Sequence, residues 1–276
     1  MFNALTIDVE DYYMVSAFSD IVRFEDWNKF ESRVDKNTHA ILDLLDVYSV
    51  KATFFVLGWV AEHNPELVKE IDRRGHELAS HGYNHRLVYE LTPDEFRDDT
   101  RKSKKIIEDI SGKPVIGYRA TSFSITEKSI WSLDIISEEG FLYDSSIFPI
   151  RHDKYGMPNA KRFPHRISLH ANSIIEFPMS TFKLMGYQVP VAGGGYLRLY
   201  PRWFTDLAIR SINEKEKQPA IVYLHPWEVD VHQPRLNGHL FSRMRHYTNL
   251  HKTSSKVTNL LKHFSFKPLS SFLNAY

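Results

Sequence analysis

About seven times along the 276 residues a short apolar run gives way to a stretch with helical spacing. That alternation limits the fold more than any other feature. Apolar runs of four to eight residues, each followed by an amphipathic helix, are the units of a parallel sheet whose strands are covered on both faces. The runs lie at residues 3–7, 51–57, 76–80, 115–119, 140–144, 174–177 and 219–224. Helical spacing covers 35–47, 64–71, 92–110, 126–139, 201–213 and 249–263, and the Thr92-Pro93-Asp94-Glu95 start has the capping-box pattern. The segment 145–172 is irregular, and Gly193-Gly194-Gly195 marks a tight turn. No internal repeat and no linker divides these units, so one α/β domain is expected.

The residues able to do chemistry stand where the apolar runs end. The first run leaves through Asp8-Val9-Glu10-Asp11, the third through Ser80-His81-Gly82-Tyr83-Asn84-His85, the fourth through Arg119, the fifth through Asp144, and the last through His225-Pro226-Trp227-Glu228. In a barrel of parallel strands, five such exits converge on one face. An open sheet would spread them along a crevice, so a closed or nearly closed arrangement is favoured. No glycine-rich phosphate loop follows the first strand, which argues against a nucleotide-binding fold.

Lys and Arg number 35 against 34 Asp and Glu, a balance that gives no reason to expect a nucleic-acid partner. The basic run 101–105 sits in a helical pattern among acids and reads as a solvated helix face. Cysteine is absent, excluding disulfides, thiolate metal sites and a thiol nucleophile. No apolar stretch is long enough to span a bilayer, and the first strand begins without a preceding signal segment. Cytoplasmic residence is the resulting expectation, with action in the periplasm or at a membrane left open.

His81 and His85, four apart, suit one side of a helical turn. With a carboxylate they form the usual protein ligand set of a hydrolytic metal site, either Glu10 or Asp11 completing it. In an extended segment Glu10 shares a side with Asp8, whereas Asp11 needs the chain to turn, so Glu10 is slightly preferred. Zinc is the first candidate among divalent metals. Asp8 can then act as base, His225 as acid, and Arg119 as the group that orients Asp8. Each has a plainer reading: Asp8 as a helix cap, Arg119 as a surface ion-pair partner, His225 as a turn residue before proline.

These residues carry a resemblance. "TIDVEDYY" from Thr6, "SHGYNH" from Ser80, "GYRATSFSI" from Gly117, "YDSSIFP" from Tyr143, "EFPMST" from Glu176, "GGGYLRL" from Gly193 and "YLHPWEVD" from Tyr223 resemble the polysaccharide deacetylases of the NodB-homology family, carbohydrate esterase family 4. The nearest likeness is to the subgroup encoded with exosortase (PEP-CTERM) exopolysaccharide systems. The resemblance implies a distorted (β/α) barrel of about seven strands over residues 1–276, with an extension from about 228 to 276 packed on it. It also implies metal-dependent removal of acetyl groups from N-acetylated sugars of a polysaccharide or oligosaccharide. Asp8 corresponds to the family's base, His81 and His85 to its metal histidines, Arg119 to its base-tuning arginine and His225 to its acid. Two positions depart from the family: Val9 stands where a second aspartate usually binds metal, and Thr121 where the arginine motif usually has proline.

Asp144, Tyr196, Trp227 and Glu228 are candidates for sugar contacts, and Asp144, Asp153, Glu228 and Asp230 for orienting His225. Backbone N–H groups of residues 143–146, or of the loop after Asp11, are candidate oxyanion donors. Two other functions fit less well: an allantoinase-like hydrolase of small cyclic amides, and a non-catalytic carbohydrate-binding protein. Oligomeric state is not legible.

Overall fold

The computed structural model describes residues 1–152, 154–191 and 193–276. Asp153 and Ala192 lie outside the described residues. In chain order the elements are β1 (Phe2–Val9), α1 (Val34–Val47), β2 (Thr53–Val56), α2 (Gly58–His63), α3 (Pro65–Arg73) and β3 (Glu77–Ser80). There follow α4 (Pro93–Ser111), β4 (Gly117–Tyr118), α5 (Ser132–Glu138), β5 (Tyr143–Asp144), β6 (His165–Ser168) and β7 (Ser173–Glu176). The remainder is β8 (Thr181–Leu184), β9 (Tyr187–Pro190), α6 (Gly194–Leu199), α7 (Arg202–Glu214), β10 (Ile221–Leu224), α8 (Leu240–Tyr247), α9 (Thr253–His263) and β11 (Ser265–Lys267).

Seven parallel strands run in the order β10-β1-β2-β3-β4-β5-β7 and curl into a distorted, incomplete (β/α) barrel. β6 adds to β7 in antiparallel fashion, and β11 lies parallel to the start of β1. Neither carries the strand-then-helix signal, and so neither was legible: β6 alternates half-buried and exposed residues at the sheet edge. The gap between β10 and β7 is narrowed by backbone, since Gly193 bridges Tyr223. Gly193 is held at φ +148°, and a Cβ there would stand 1.8 Å from the Tyr223 carbonyl oxygen. Only glycine lets the two backbones approach so closely.

The barrel interior is filled by Ala4, Phe55, Ala79, Tyr143, Phe177, Ile221 and Tyr223, with Leu269 from the C-terminal segment. The larger core lies between the strands and the surrounding helices. α4 starts as its sequence dictates: Thr92 Oγ1 accepts from the Glu95 N–H while the Glu95 carboxylate accepts from the Thr92 N–H. It stops at Gly112, held at φ +67°, where glycine avoids the Cβ penalty of a left-handed cap.

Several expected boundaries shift. The helix expected at 126–139 begins only at Ser132, because 126–131 form turns capped by Ser129. α2 and α8 lie outside the helices expected from the spacing, α2 filling the interval between the run at 51–57 and the helix from Asn64. Among the described residues, no helix is long and apolar enough to cross a membrane.

Candidate active site

Asp8 and Glu10 leave β1 on one side, as extended backbone requires, and both are buried. The histidine pair does not sit on a helix. β3 ends at Ser80, and 81–85 form a loop with Gly82 at φ +71° and His85 at φ +58°. The loop is pinned by the Tyr83 N–H to Asp99 Oδ2 at 2.8 Å, and its carbonyls at Gly82 and Tyr83 receive the N–H groups of Gly58 and Trp59. The left-handed turn, rather than helical spacing, brings the two imidazoles to a ring separation of 5.8 Å.

Glu10, His81 and His85 each offer a ligand atom within 4.8 Å of the others. His81 Nδ1–H donates to the Arg119 carbonyl at 2.8 Å, which fixes the tautomer and leaves Nε2 as the lone-pair nitrogen. Burial pulls His81 down to about 4, so its imidazole is neutral near pH 7. Glu10 Oε1 accepts from Trp227 Nε1–H at 3.1 Å. Its other oxygen lies 2.8 Å from His85 Nε2 but has no aligned hydrogen-bond partner. Burial opposes charge on Glu10, yet His85, His225 and His81 together outweigh it and hold the carboxyl well below the usual range. A buried carboxylate oxygen without an aligned partner, beside two buried imidazoles of which His81 is fixed by the Arg119 carbonyl, is a donor set that suits a divalent cation.

Asp11 is placed elsewhere and is corrected as a candidate ligand. Its Oδ2 accepts from the N–H groups of Arg33 and Val34 at 2.6 and 3.0 Å, and Oδ1 accepts from Tyr12 N–H. It serves as a remote cap for α1, satisfying N–H groups that the first helical turn leaves unpaired.

Arg119 is fully buried and locked on four sides. Nη1–H groups donate to Asp8 Oδ1 and Thr6 Oγ1, both at 2.7 Å, while Nε and Nη2 donate to the carbonyl and hydroxyl of Ser145. Its guanidinium also stacks over Phe55 at 4.1 Å. Asp8 therefore has one oxygen fixed and the other, Oδ2, 3.9 Å from His225 Nε2. His225 Nδ1–H donates to Glu228 Oε2 at 3.0 Å, which turns Nε2 toward Asp8 and Glu10, 3.6 Å from the latter. Burial works against a charge on His225, but Glu10, Glu228 and Asp8 outweigh it and raise the imidazole to about 9.

Glu228 and Trp227 are corrected as sugar-contact candidates. Glu228 is buried between His225 and Arg198 Nε, which donates at 2.7 Å. Its burial penalty is outweighed by Arg198 and His225, and the carboxyl falls to about 2. Trp227 is sandwiched between the rings of His225 and His246, at 5.0 and 4.0 Å. Asp144 is corrected too: it is fully buried, accepts from Ser146 Oγ at 2.6 Å and neighbours Glu176. Tyr196 is the one sugar-contact candidate with a partly open ring, on α6 against Phe148. Asp230 is engaged by Arg33. The proposed oxyanion donors at 143–146 are already committed: Tyr143 and Ser145 N–H go to the carbonyls of Ile116 and Tyr118, and Ser146 N–H to Asp144.

Sequence reasoning missed Arg198, Thr6 and Ser145. Arg198 sits within an apolar helical stretch, where an arginine signals a buried partner. Its Nη groups donate to the carbonyls of Arg245, His246 and Thr248. Thr121 hydroxyl donates to the Arg86 carbonyl at 2.7 Å, tying the arginine loop to the residue after His85.

Two family models match. Residues 22–136 match the polysaccharide deacetylase family, and residues 145–274 match a domain of unknown function, DUF3473. A peptidoglycan-N-acetylglucosamine deacetylase of Bacillus cereus is 32% identical over 120 residues, covering 39% of this chain and 44% of that protein. A peptidoglycan deacetylase of Helicobacter pylori is 34% identical over 107 residues, covering 39% and 36%. The chain thus spans less than half the length of these curated relatives. Among solved structures, one from Mycobacterium smegmatis assigned to the polysaccharide deacetylases superposes with TM-score 0.63 at 20% identity, covering 99% of this chain and 88% of that one. A carbohydrate esterase family 4 pseudoenzyme of Bacillus anthracis superposes at TM-score 0.51 and 17% identity, covering 99% and 65%. At such identity the superpositions show the fold alone. Residues 22–136 thus match the polysaccharide deacetylase family, and over its length the chain shares a fold with the Mycobacterium smegmatis protein.

Proposed function

We propose that the chain removes acetyl groups from N-acetylated sugars of a bacterial polysaccharide or its precursor, using a divalent cation, zinc first among candidates, held by Glu10, His81 and His85. The observation that carries this reading is the meeting of three groups in one buried cluster. They are the Glu10–His81–His85 triad, the Asp8–Arg119 pair and the Glu228-held His225. When bound there, a divalent cation would supply Lewis acidity to an acetyl carbonyl and acidify a water beside it.

The remaining work falls to the protein's own groups. Asp8, with Oδ1 fixed by Arg119, presents Oδ2 to take a proton from the attacking water. His225, with Nδ1–H fixed on Glu228, presents a protonated Nε2 to the departing sugar nitrogen. The anionic base and cationic acid coexist because each is paired with its own counter-charge. Trp227 orients the Glu10 carboxylate and closes the wall beside His225. Placement in the exosortase-associated branch rests on the motif resemblance. The region 228–276 is proposed as an integral part of one catalytic unit, because it carries the groups that hold Arg198.

Acetate release from N-acetylglucosamine oligomers, assayed with added zinc and after chelation, tests the reading. Asp8→Asn is expected to lower kcat by about 10²–10⁴-fold while retaining metal, and His81→Ala to lose the metal. An active Asp8→Asn variant, or full metal content in His81→Ala, would sink the assignment.

A further inference from the structure

The two histidines of the candidate cation site are held by different means. His81 is fixed through its ring, Nδ1–H donating to the Arg119 carbonyl at 2.8 Å. Among the described residues, His85 Nδ1 is buried and has no hydrogen-bond partner. A histidine that ligates a metal ordinarily has its second ring nitrogen anchored. The direction of the His85 ring is therefore set by the backbone that carries it. That backbone turns left-handed at Gly82, with φ +71°, and again at His85 itself, with φ +58°. A non-glycine residue keeps such a conformation only where its surroundings impose it.

The long helix α4 imposes it. Asp99 and Ser103 stand four apart on that helix, on one side, facing the histidine loop. Asp99 Oδ2 accepts from the Tyr83 N–H at 2.8 Å, and the Asn84 N–H also stabilises that carboxylate. The same oxygen lies so near Gly82 that a Cβ there would stand 2.9 Å from it. The Ser80 hydroxyl donates to Ser103 Oγ at 3.0 Å and accepts from the Gly82 N–H at 3.3 Å. From the other side, the Gly58 N–H reaches the Gly82 carbonyl at 2.8 Å. The peptide unit joining Gly82 to Tyr83 is thus gripped at both its C=O and its N–H, and the grip on the N–H is one side chain.

We propose that Asp99 is a positioning residue for the cation site, acting through the backbone of residues 82–84 to aim the His85 imidazole at Glu10. The inference rests on the reading of Glu10, His81 and His85 as cation ligands. It adds the group that shapes the loop for them, a carboxylate that the histidine motif does not contain. Its role is geometric: Asp99 meets backbone N–H groups, and His85 Nε2 meets Glu10 Oε2 at 2.8 Å as a result.

The test is zinc titration of the full chain after chelation, in competition with a chromophoric chelator, with cobalt(II) absorption reporting the ligand geometry. Asp99→Ala is expected to weaken zinc binding by about 10–100-fold and to change the cobalt(II) spectrum. Asp99→Asn loses the charge but keeps an oxygen that accepts from the Tyr83 N–H, and should stay within about fivefold of wild type. Asp99→Glu keeps the charge but is one methylene too long for the loop, and should bind zinc about tenfold more weakly. Geometry and charge are thereby separated, and the Asn and Glu variants decide the matter even where Asp99→Ala does not fold. A purely structural Asp99 would lower the melting temperature of the cation-free protein and leave the zinc affinity of the folded variants alone, which overturns the proposal. So does an Asp99→Asn protein that binds as weakly as Asp99→Ala, since charge would then be the cause. Zinc affinity is read without acetate release, so it does not depend on the chemistry assigned to the site. A wild-type chain that takes up no zinc overturns the cation site and this inference together, whereas equal binding by wild type, Asp99→Ala and Asp99→Glu overturns this inference alone.

Discussion

At the residue scale, two carboxyl groups with opposite fates explain how the interior handles charge. Burial pushes Glu176 well above the ordinary carboxylate range, and neighbouring Asp144 adds to the shift, so the two share a proton. A raised carboxyl binds more protons folded than unfolded. Its stabilising contribution is therefore complete below the ordinary carboxylate range and declines as pH rises through the raised value. In Glu176→Gln that decline should vanish. Measured by urea unfolding across pH, the gap in the variant's favour should widen with pH by up to about 1.4 kcal/mol per unit. Parallel pH curves for the two proteins would contradict the shared proton. Glu228 has the reverse fate, held ionised by Arg198 and His225. Glu228→Gln removes an anion that favours the His225 imidazolium, so that proton leaves at lower pH. The alkaline limb of kcat/KM should move downward while bound metal is retained. An unmoved limb would mean that Glu228 only packs.

Much of the cleft was readable residue by residue. Asp8, Arg119 and His225 each follow an apolar run, and parallel strands of one barrel bring such exits together. The separation of Glu10 from Asp11 was only half readable. Extended alternation favoured Glu10, but the cap that occupies Asp11 is donated by Arg33 and Val34, residues distant in the chain. As sugar contacts, Asp144, Trp227 and Glu228 find their polar atoms already engaged, while Glu228 also answers the other expectation by its bond to His225 Nδ1–H. Their strand-end positions said that they face the cleft's neighbourhood, and nothing local revealed the buried groups that consume their polar atoms.

At the element scale, the alternation of runs and helices was sufficient for the parallel strands and for α4, whose cap and stop are written in Thr92, Glu95 and Gly112. It failed for β6 and for the β8–β9 hairpin, where edge position leaves half-exposed residues without a strong period. It also failed at the histidine loop, where spacing suggested a helix and positive φ angles made a turn. The gap between β10 and β7 depends on a residue with no side chain. In Gly193→Ala the new Cβ would collide with the Tyr223 carbonyl, two residues before His225. A loss of about 3 kcal/mol in unfolding free energy is expected, together with reduced kcat from a displaced His225. Wild-type stability in this variant would show that the bridge is dispensable.

At the scale of the whole molecule, the C-terminal segment supports the barrel at both ends. Below, β11 extends the sheet on β1, Leu269 fills the barrel floor and its N–H donates to Thr53 Oγ1. Above, the carbonyls of Arg245, His246 and Thr248 fix Arg198. Removing residues 264–276 takes away the buried side chains of Phe266 and Leu269, exposes the core they cover and should lower the melting temperature by about 5–10 °C. An unchanged melting curve would show that the floor does not need them.

The path of the chain through the cleft also sets an order in time. Glu10, His81 and His85 belong to the first strands synthesised, while His225 and the carbonyls that steady Arg198 come near the other end. At ordinary rates of synthesis, roughly ten to thirty seconds separate the two sets. A nascent chain therefore contains Glu10, His81 and His85 well before it contains His225 or Trp227, whose indole N–H fixes the Glu10 carboxylate.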